Sequence, residues 1–149
     1  MPRPLLPVVP LPPGFPGPVY CIADLHLGAA TPQTEAKLFA WAQQLVAEQA
    51  ALCLLGDIFE YWVGDDAPDA ARTRIGAQLK ALADAGVPLF FIAGNRDFLL
   101  GDAFAQQAGF TRVPDPALLH VHGRHLLLSH GDALCTGDAA YERFRSSVR

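Results

Sequence analysis

Asp24 and His26 stand one residue apart, directly after the apolar run Val19-Tyr20-Cys21-Ile22-Ala23. Three further segments end an apolar run in the same kind of side chain: Gly56-Asp57, Gly94-Asn95-Arg96-Asp97 and Ser129-His130-Gly131-Asp132. Carboxylate and amide oxygens with imidazole nitrogen, and no thiolate, suit Mn²⁺, Mg²⁺, Fe²⁺ or Zn²⁺ rather than a soft metal. A pair spaced like Asp24 and His26 past a strand can chelate one cation. A carboxylate such as Asp57 has two oxygens and can bridge two. Paired cations polarise phosphoryl oxygens, generate hydroxide near neutral pH and hold attacking and leaving oxygens in line. Arg96, next to Asn95, offers a planar fork for a phosphate oxygen. Without cations, these carboxylates would repel one another and be driven towards protonation. Each short motif alone is weak, since Gly-Asp after a strand is commonly a turn. Their joint order and placement carry the reading of a two-metal phosphoesterase site.

The elements that must position these groups read as strands alternating with helices. Leu38, Trp41, Leu45 and Val46 recur at helical spacing and predict a helix over 35–49, capped by Thr31 or Thr34. Ala51-Leu52-Cys53-Leu54-Leu55 predicts a buried strand. A polar loop over 64–68 leads to a helix over 69–85, which Gly86 stops before Pro88 restarts an extended chain. A third strand over 89–93 and a short helix over 102–107 follow. Residues 118–121 and 125–129 flank His122-Gly123-Arg124 as the strongest hairpin signal, and a last helix begins near Asp138. This order predicts an α/β fold, a mostly parallel sheet flanked by helices. All four ligand-bearing segments then fall at the carboxyl ends of strands, where open α/β sheets bind ligands. His120, His122 and His125 read as an exposed strand edge and turn and are given no role. Trp62 and Tyr61 read as packing or groove residues, and Asp65 and Asp66 as loop or helix-starting charges.

A chain of 149 residues fits one domain with enough apolar content for a core. Hydrophobic residues make up 51% and charged residues 17%, a balance that argues against disorder. The net charge of −4 gives no electrostatic footprint for nucleic acid, whereas bound cations would hold phosphate. Cys21, Cys53 and Cys135 have no paired spacing; Cys21 and Cys53 read as buried thiols, and the odd count fits a reducing cytoplasm. Over residues 1–18 prolines break every apolar run, so the segment reads as a disordered or extended arm, not a signal peptide, ahead of a domain over 19–149. No apolar run reaches membrane-spanning length.

On these residues the chain resembles the calcineurin-like metallophosphoesterases, whose pattern runs Asp-x-His, Gly-Asp, Gly-Asn-His/Arg and later Gly-His and Gly-His-x-His segments. The likeness is closest to the UDP-2,3-diacylglucosamine pyrophosphohydrolase family of lipid A synthesis. It lies in Asp24-Leu25-His26-Leu27, in the run from Gly56 to Asp66, in Gly94-Asn95-Arg96-Asp97-Phe98-Leu99-Leu100-Gly101 and in the run from His130 to Thr136. It extends from about Val19 to Arg149 and implies a calcineurin-like metallophosphoesterase fold.

The resemblance implies attack of water on a phosphorus of UDP-2,3-diacylglucosamine, giving UMP and 2,3-diacylglucosamine 1-phosphate, with two Mn²⁺ ions. It implies a cytoplasmic protein, peripheral on the inner membrane. Asp24 and His26 would hold one metal, Asp57 would bridge, and Asn95 and His130 would hold the other. Asn95 and Arg96 would meet the phosphates, and Asp138, with Tyr141 beside it, the sugar-nucleotide portion. Arg96 stands where many superfamily members carry a catalytic His, so it would stabilise charge rather than transfer a proton. Family members continue with a helical cap for the acyl chains and a Gly-His-x-His segment. Neither is found within these residues, so the expectation is an incomplete chain with little activity of its own. The alternatives are a generic phosphodiesterase acting on a soluble nucleotide and a non-catalytic binding protein of the same fold.

Overall fold

The structure, a computed structural model, describes residues 5–148. Strands β1 (Val19–Ile22), β2 (Ala51–Leu54), β3 (Leu89–Phe91) and β4 (Thr111–Arg112) form a parallel sheet in that order. Helices α1 (Pro32–Ala47), α2 (Ala70–Asp84) and α3 (Asp102–Ala108) supply the crossovers. Strands that follow one another across a sheet through right-handed crossovers place their helices on one face. The period of two along each strand divides the core to match. Leu52, Leu54, Leu89 and Phe91 share one cluster with Leu38, Leu45, Ile75 and Leu79 of the helices. Cys53, Phe90 and Ile92 face the other way, against Ala117, Leu119 and Leu128. Those last three belong to an antiparallel hairpin of β5 (Ala117–Val121) and β6 (Arg124–Leu128). Covered on both faces, β2 is buried at every residue, as its unbroken apolar run requires.

The predicted α/β architecture is therefore the one observed, with the helices of the crossovers on one face and the hairpin on the other. The hairpin turn is tighter than predicted. His122 and Gly123 form it alone, with φ of 51° and 73°, the backbone of a type I′ turn. His120 and His125 are cross-strand partners on its exposed face. Strand β4 was not anticipated, since two exposed residues carry no readable period. Cys53 is buried as expected, but Cys21 is exposed. β1 lies at the edge of the sheet, so the outward member of its alternation meets solvent.

Residues 1–4 of the predicted arm lie outside the described residues. Further on, the chain runs extended beside β5: the Leu118 N–H donates to Pro7 O (2.8 Å) and the Val9 N–H to Leu118 O (2.8 Å). Val9 is buried in the hairpin-side core. After β6 comes a 3₁₀ turn (Asp132–Leu134) and then α4 (Ala139–Val148). The Asp138 carboxylate accepts the Tyr141 N–H (2.9 Å) and so caps that helix. Tyr141 Oη donates to Asp132, and Phe144 meets the Phe98 ring edge-on at 6.0 Å.

Candidate metal centre

Strands β1, β2 and β3 run the same way, so the loops after them share one edge of the sheet. Backbone hydrogen bonds tie those loops: the Asp24 N–H donates to Gly56 O (3.1 Å), His26 to Asp57 O (3.0 Å) and Leu27 to Ile58 O (2.7 Å). Among the described residues the strand order runs β1-β2-β3-β4 with no reversal, so no topological switch point marks the site. The site forms between the two sheets instead, because β6 ends beside the same edge and delivers His130.

Asp24, His26 and Asp57 all have left-handed backbones, with φ of 56°, 50° and 51°. For an L-residue this costs about 1–2 kcal/mol each, and Asp and His tolerate it better than bulky residues do. Here the strain accompanies convergence. One ligand atom from each of Asp24, His26 and Asp57 lies within 4.8 Å of the others. Two glycines leave the room. A Cβ on Gly94 would stand 2.3 Å from Asp57 Oδ1 and 2.4 Å from Asp57 N. One on Gly56 would stand 2.6 Å from His130 Nδ1 and from the Gly94 backbone, and Gly56 itself has φ of 86°.

A second group of donors shares Asp57. The His130 ring is held at Nδ1 by Leu55 O, 2.7 Å away. A carbonyl only accepts, so Nδ1 carries a proton, and in the neutral ring Nε2 carries the lone pair. That lone pair faces Asn95 at 3.1 Å and Asp57 Oδ2 at 3.5 Å. With its amide nitrogen turned inward, Asn95 donates to Asp57 Oδ1 (3.2 Å) and Oδ2 (2.8 Å) and to His130 Nε2 (3.1 Å). Turned the other way, it offers an oxygen to the same space. A carboxylate and an imidazole lone pair aimed at one another need a positive centre or donor between them. Mixed oxygen and nitrogen donors of this kind fit a divalent cation. The five residues singled out as ligands thus converge in two groups with Asp57 common to both.

Asp97, which the sequence reading left without a role, organises the loops beneath. Its fully buried carboxylate accepts the N–H groups of Asp57 (3.2 Å), Ile58 (2.8 Å), Phe59 (3.3 Å) and Gly94 (2.8 Å). Burial pushes this carboxyl up from its usual value of 3.8, against the pull of the four N–H donors. No local signal could have found it, since three of its partners lie about forty residues upstream. Arg96 donates its backbone N–H to Asp57 Oδ1 (2.8 Å), while its guanidinium donates to Glu60 Oε1 (3.0 Å) at the rim. Asp138 stands apart: none of its described contacts reaches the five converging residues.

Asp65 proves to be structural. It accepts the Gly101 N–H (2.8 Å), the Phe104 N–H (3.0 Å) and the Trp62 indole N–H (2.9 Å), and so fixes the start of α3. Burial pushes its carboxyl up, but these donors outweigh burial and it ends below 3.8. Trp62 is packing: it is buried against Phe59 and Phe104, with the Arg72 guanidinium 4.3 Å from its ring centre. Tyr61 is exposed.

Comparison with known proteins gives the family of the chain and some of its relatives. Residues 17–144 match the family model described as calcineurin-like phosphoesterase. Over 128 residues the chain is 48% identical to a protein named UDP-2,3-diacylglucosamine hydrolase from Xanthomonas oryzae pv. oryzae (strain PXO99A), covering 86% of this chain and 52% of that protein. A protein of the same name from Stenotrophomonas maltophilia (strain K279a) is 44% identical with the same coverage. The chain spans about half the length of the curated relatives it matches. The family match takes in all five converging residues, and the chain belongs to the calcineurin-like phosphoesterase family.

Proposed function

We propose that the chain carries the metal centre of a hydrolase that cleaves the pyrophosphate of UDP-2,3-diacylglucosamine to UMP and 2,3-diacylglucosamine 1-phosphate, a step of lipid A synthesis. The observation that carries this is the convergence of two donor groups on Asp57. The names of the relatives support the substrate. In this reading Asp24 and His26 would hold one cation, Asn95 and His130 the other and Asp57 would serve both, with Mn²⁺ as the resident metal. Bound cations supply Lewis acidity and hydroxide near neutral pH. The chain's own groups orient and neutralise. His130 is kept in one tautomer by Leu55, Arg96 offers its fork to a phosphate oxygen from the rim, and Asp138 meets the sugar-nucleotide portion.

No described helix is long and apolar enough to cross a membrane. Access to a lipid substrate would come by peripheral contact, from the cytoplasmic side of the inner membrane. The test is release of UMP from UDP-2,3-diacylglucosamine in detergent, with and without Mn²⁺. The expected result is release that requires Mn²⁺ and is lost in Asp57→Asn. Hydrolysis of a soluble phosphodiester alone would move the substrate to the nucleotide class. Mn²⁺ binding with neither activity would make the chain a binding protein.

A further inference from the structure

Glu60 lies three residues beyond Asp57, on the exposed rim of the centre, and belongs to neither donor group. Its place is set by backbone pairing. The Leu27 N–H donates to Ile58 O (2.7 Å) and the Glu60 N–H to Leu27 O (3.0 Å), so Glu60 is pinned next to His26. Its two carboxylate oxygens are divided. Oε2 lies 3.0 Å from His26 Nδ1, and Oε1 accepts from Arg96 Nη1 at 3.0 Å. We propose that Glu60 is a positioning residue serving both the metal and the anion side of the centre, an inference that rests on the metal-centre reading above.

The chemistry follows from what each neighbour needs. A neutral imidazole that donates its Nδ1 proton to a carboxylate leaves the Nε2 lone pair for a cation and is fixed in ring orientation. His130 meets the same need with the Leu55 carbonyl. Both candidate imidazole ligands are therefore held at Nδ1 by an acceptor, His26 by Glu60. Arg96 has its backbone N–H on Asp57 and its Nη1 on Glu60, so its fork is oriented at the rim and its other N–H donors can meet a phosphate while Glu60 holds it. Glu60 and Arg96 are each about half exposed (47% and 50%), and ion pairs so placed add little to folding stability. Loss of Glu60 should therefore leave the fold intact.

The test measures Mn²⁺ affinity by electron paramagnetic resonance, then inorganic phosphate binding to the Mn²⁺-saturated protein by calorimetry. Glu60→Ala should weaken Mn²⁺ about tenfold and weaken phosphate as well. Glu60→Gln should keep Mn²⁺ affinity, because its amide oxygen still accepts from His26, but weaken phosphate, because its NH₂ cannot accept from Arg96. Arg96→Ala should weaken phosphate alone. Wild-type Mn²⁺ affinity in Glu60→Ala, with affinity lost in Asp57→Asn, would overturn the role of Glu60 and leave the centre standing. Unchanged phosphate binding in Glu60→Gln would overturn its anion side. A wild-type protein that binds no Mn²⁺ would overturn both proposal and centre.

Discussion

The loops of the candidate centre are tied together by a buried side chain beneath them. Asp97 accepts four backbone N–H groups in a site closed to water, so each oxygen is already fully used. Asp97→Asn is nearly isosteric but turns an NH₂ towards N–H donors. The expected loss is about 3 kcal/mol of stability, read from urea unfolding near neutral pH, because buried donors are left without an acceptor. An unchanged midpoint would show that the loops hold their form without it. Gly94→Ala acts differently. Its Cβ would lie far inside van der Waals contact of Asp57, so Asp57 must move. Mn²⁺ binding should fall at least tenfold while the far-ultraviolet dichroism stays near that of wild type, since Gly94 lies in a loop outside every helix and strand.

At the scale of elements, α1 and α2 are joined by one ionic contact. Glu35 of α1 is buried and accepts two hydrogen bonds from Arg74 of α2 (2.8 Å each) and one from Gln78 (2.8 Å). The Arg74 hydrogen bonds hold the Glu35 carboxyl below its usual 4.5. A carboxyl depressed in the folded state takes up its proton more readily when unfolded. Its contribution is full above about 4.5, the unfolded value, and is lost as pH falls through the folded value. Glu35→Gln should be less stable than wild type near pH 7. Its urea midpoint should also drop less between about pH 7 and about pH 3. Equal acid sensitivity of the two proteins would assign the acid response to other carboxylates. The period of α1 and the Gly86 stop of α2 were legible in the sequence; this cross-helix contact was not, because its partners are 39 residues apart.

At the scale of the molecule, three layers meet at one edge: helices, parallel sheet and hairpin. The hairpin does more than cover the sheet, since it brings His130 to loops that come from the other strands. Cations bound there would cross-link the layers. Mn²⁺ at a hundred times its dissociation constant should add about 2.7 kcal/mol and raise the melting temperature by several degrees. A chelator should reverse the shift, and Asp57→Asn should abolish it. A melting temperature indifferent to Mn²⁺ in the wild type would count against a cation shared between the sheets.

Residue types, spacing and order along the chain were enough to name an α/β fold and the four segments that meet at its edge. Those properties are local: the period of side chains chooses strand or helix, and the alternation of strands and helices dictates a parallel sheet. The tertiary structure alone decided which residues support the centre and how. Asp97 reaches back about forty residues to hold the Asp57 loop, and Glu60 stands between His26 and Arg96. Asp24, His26 and Asp57 bend into left-handed conformations only where neighbouring loops hold them there. Cys21 is exposed because its strand is at an edge, and Asp138 caps a helix and shares no described contact with the converging residues. Such contacts depend on which distant backbone groups the fold leaves needing a partner, and a period read along a short window carries no record of them.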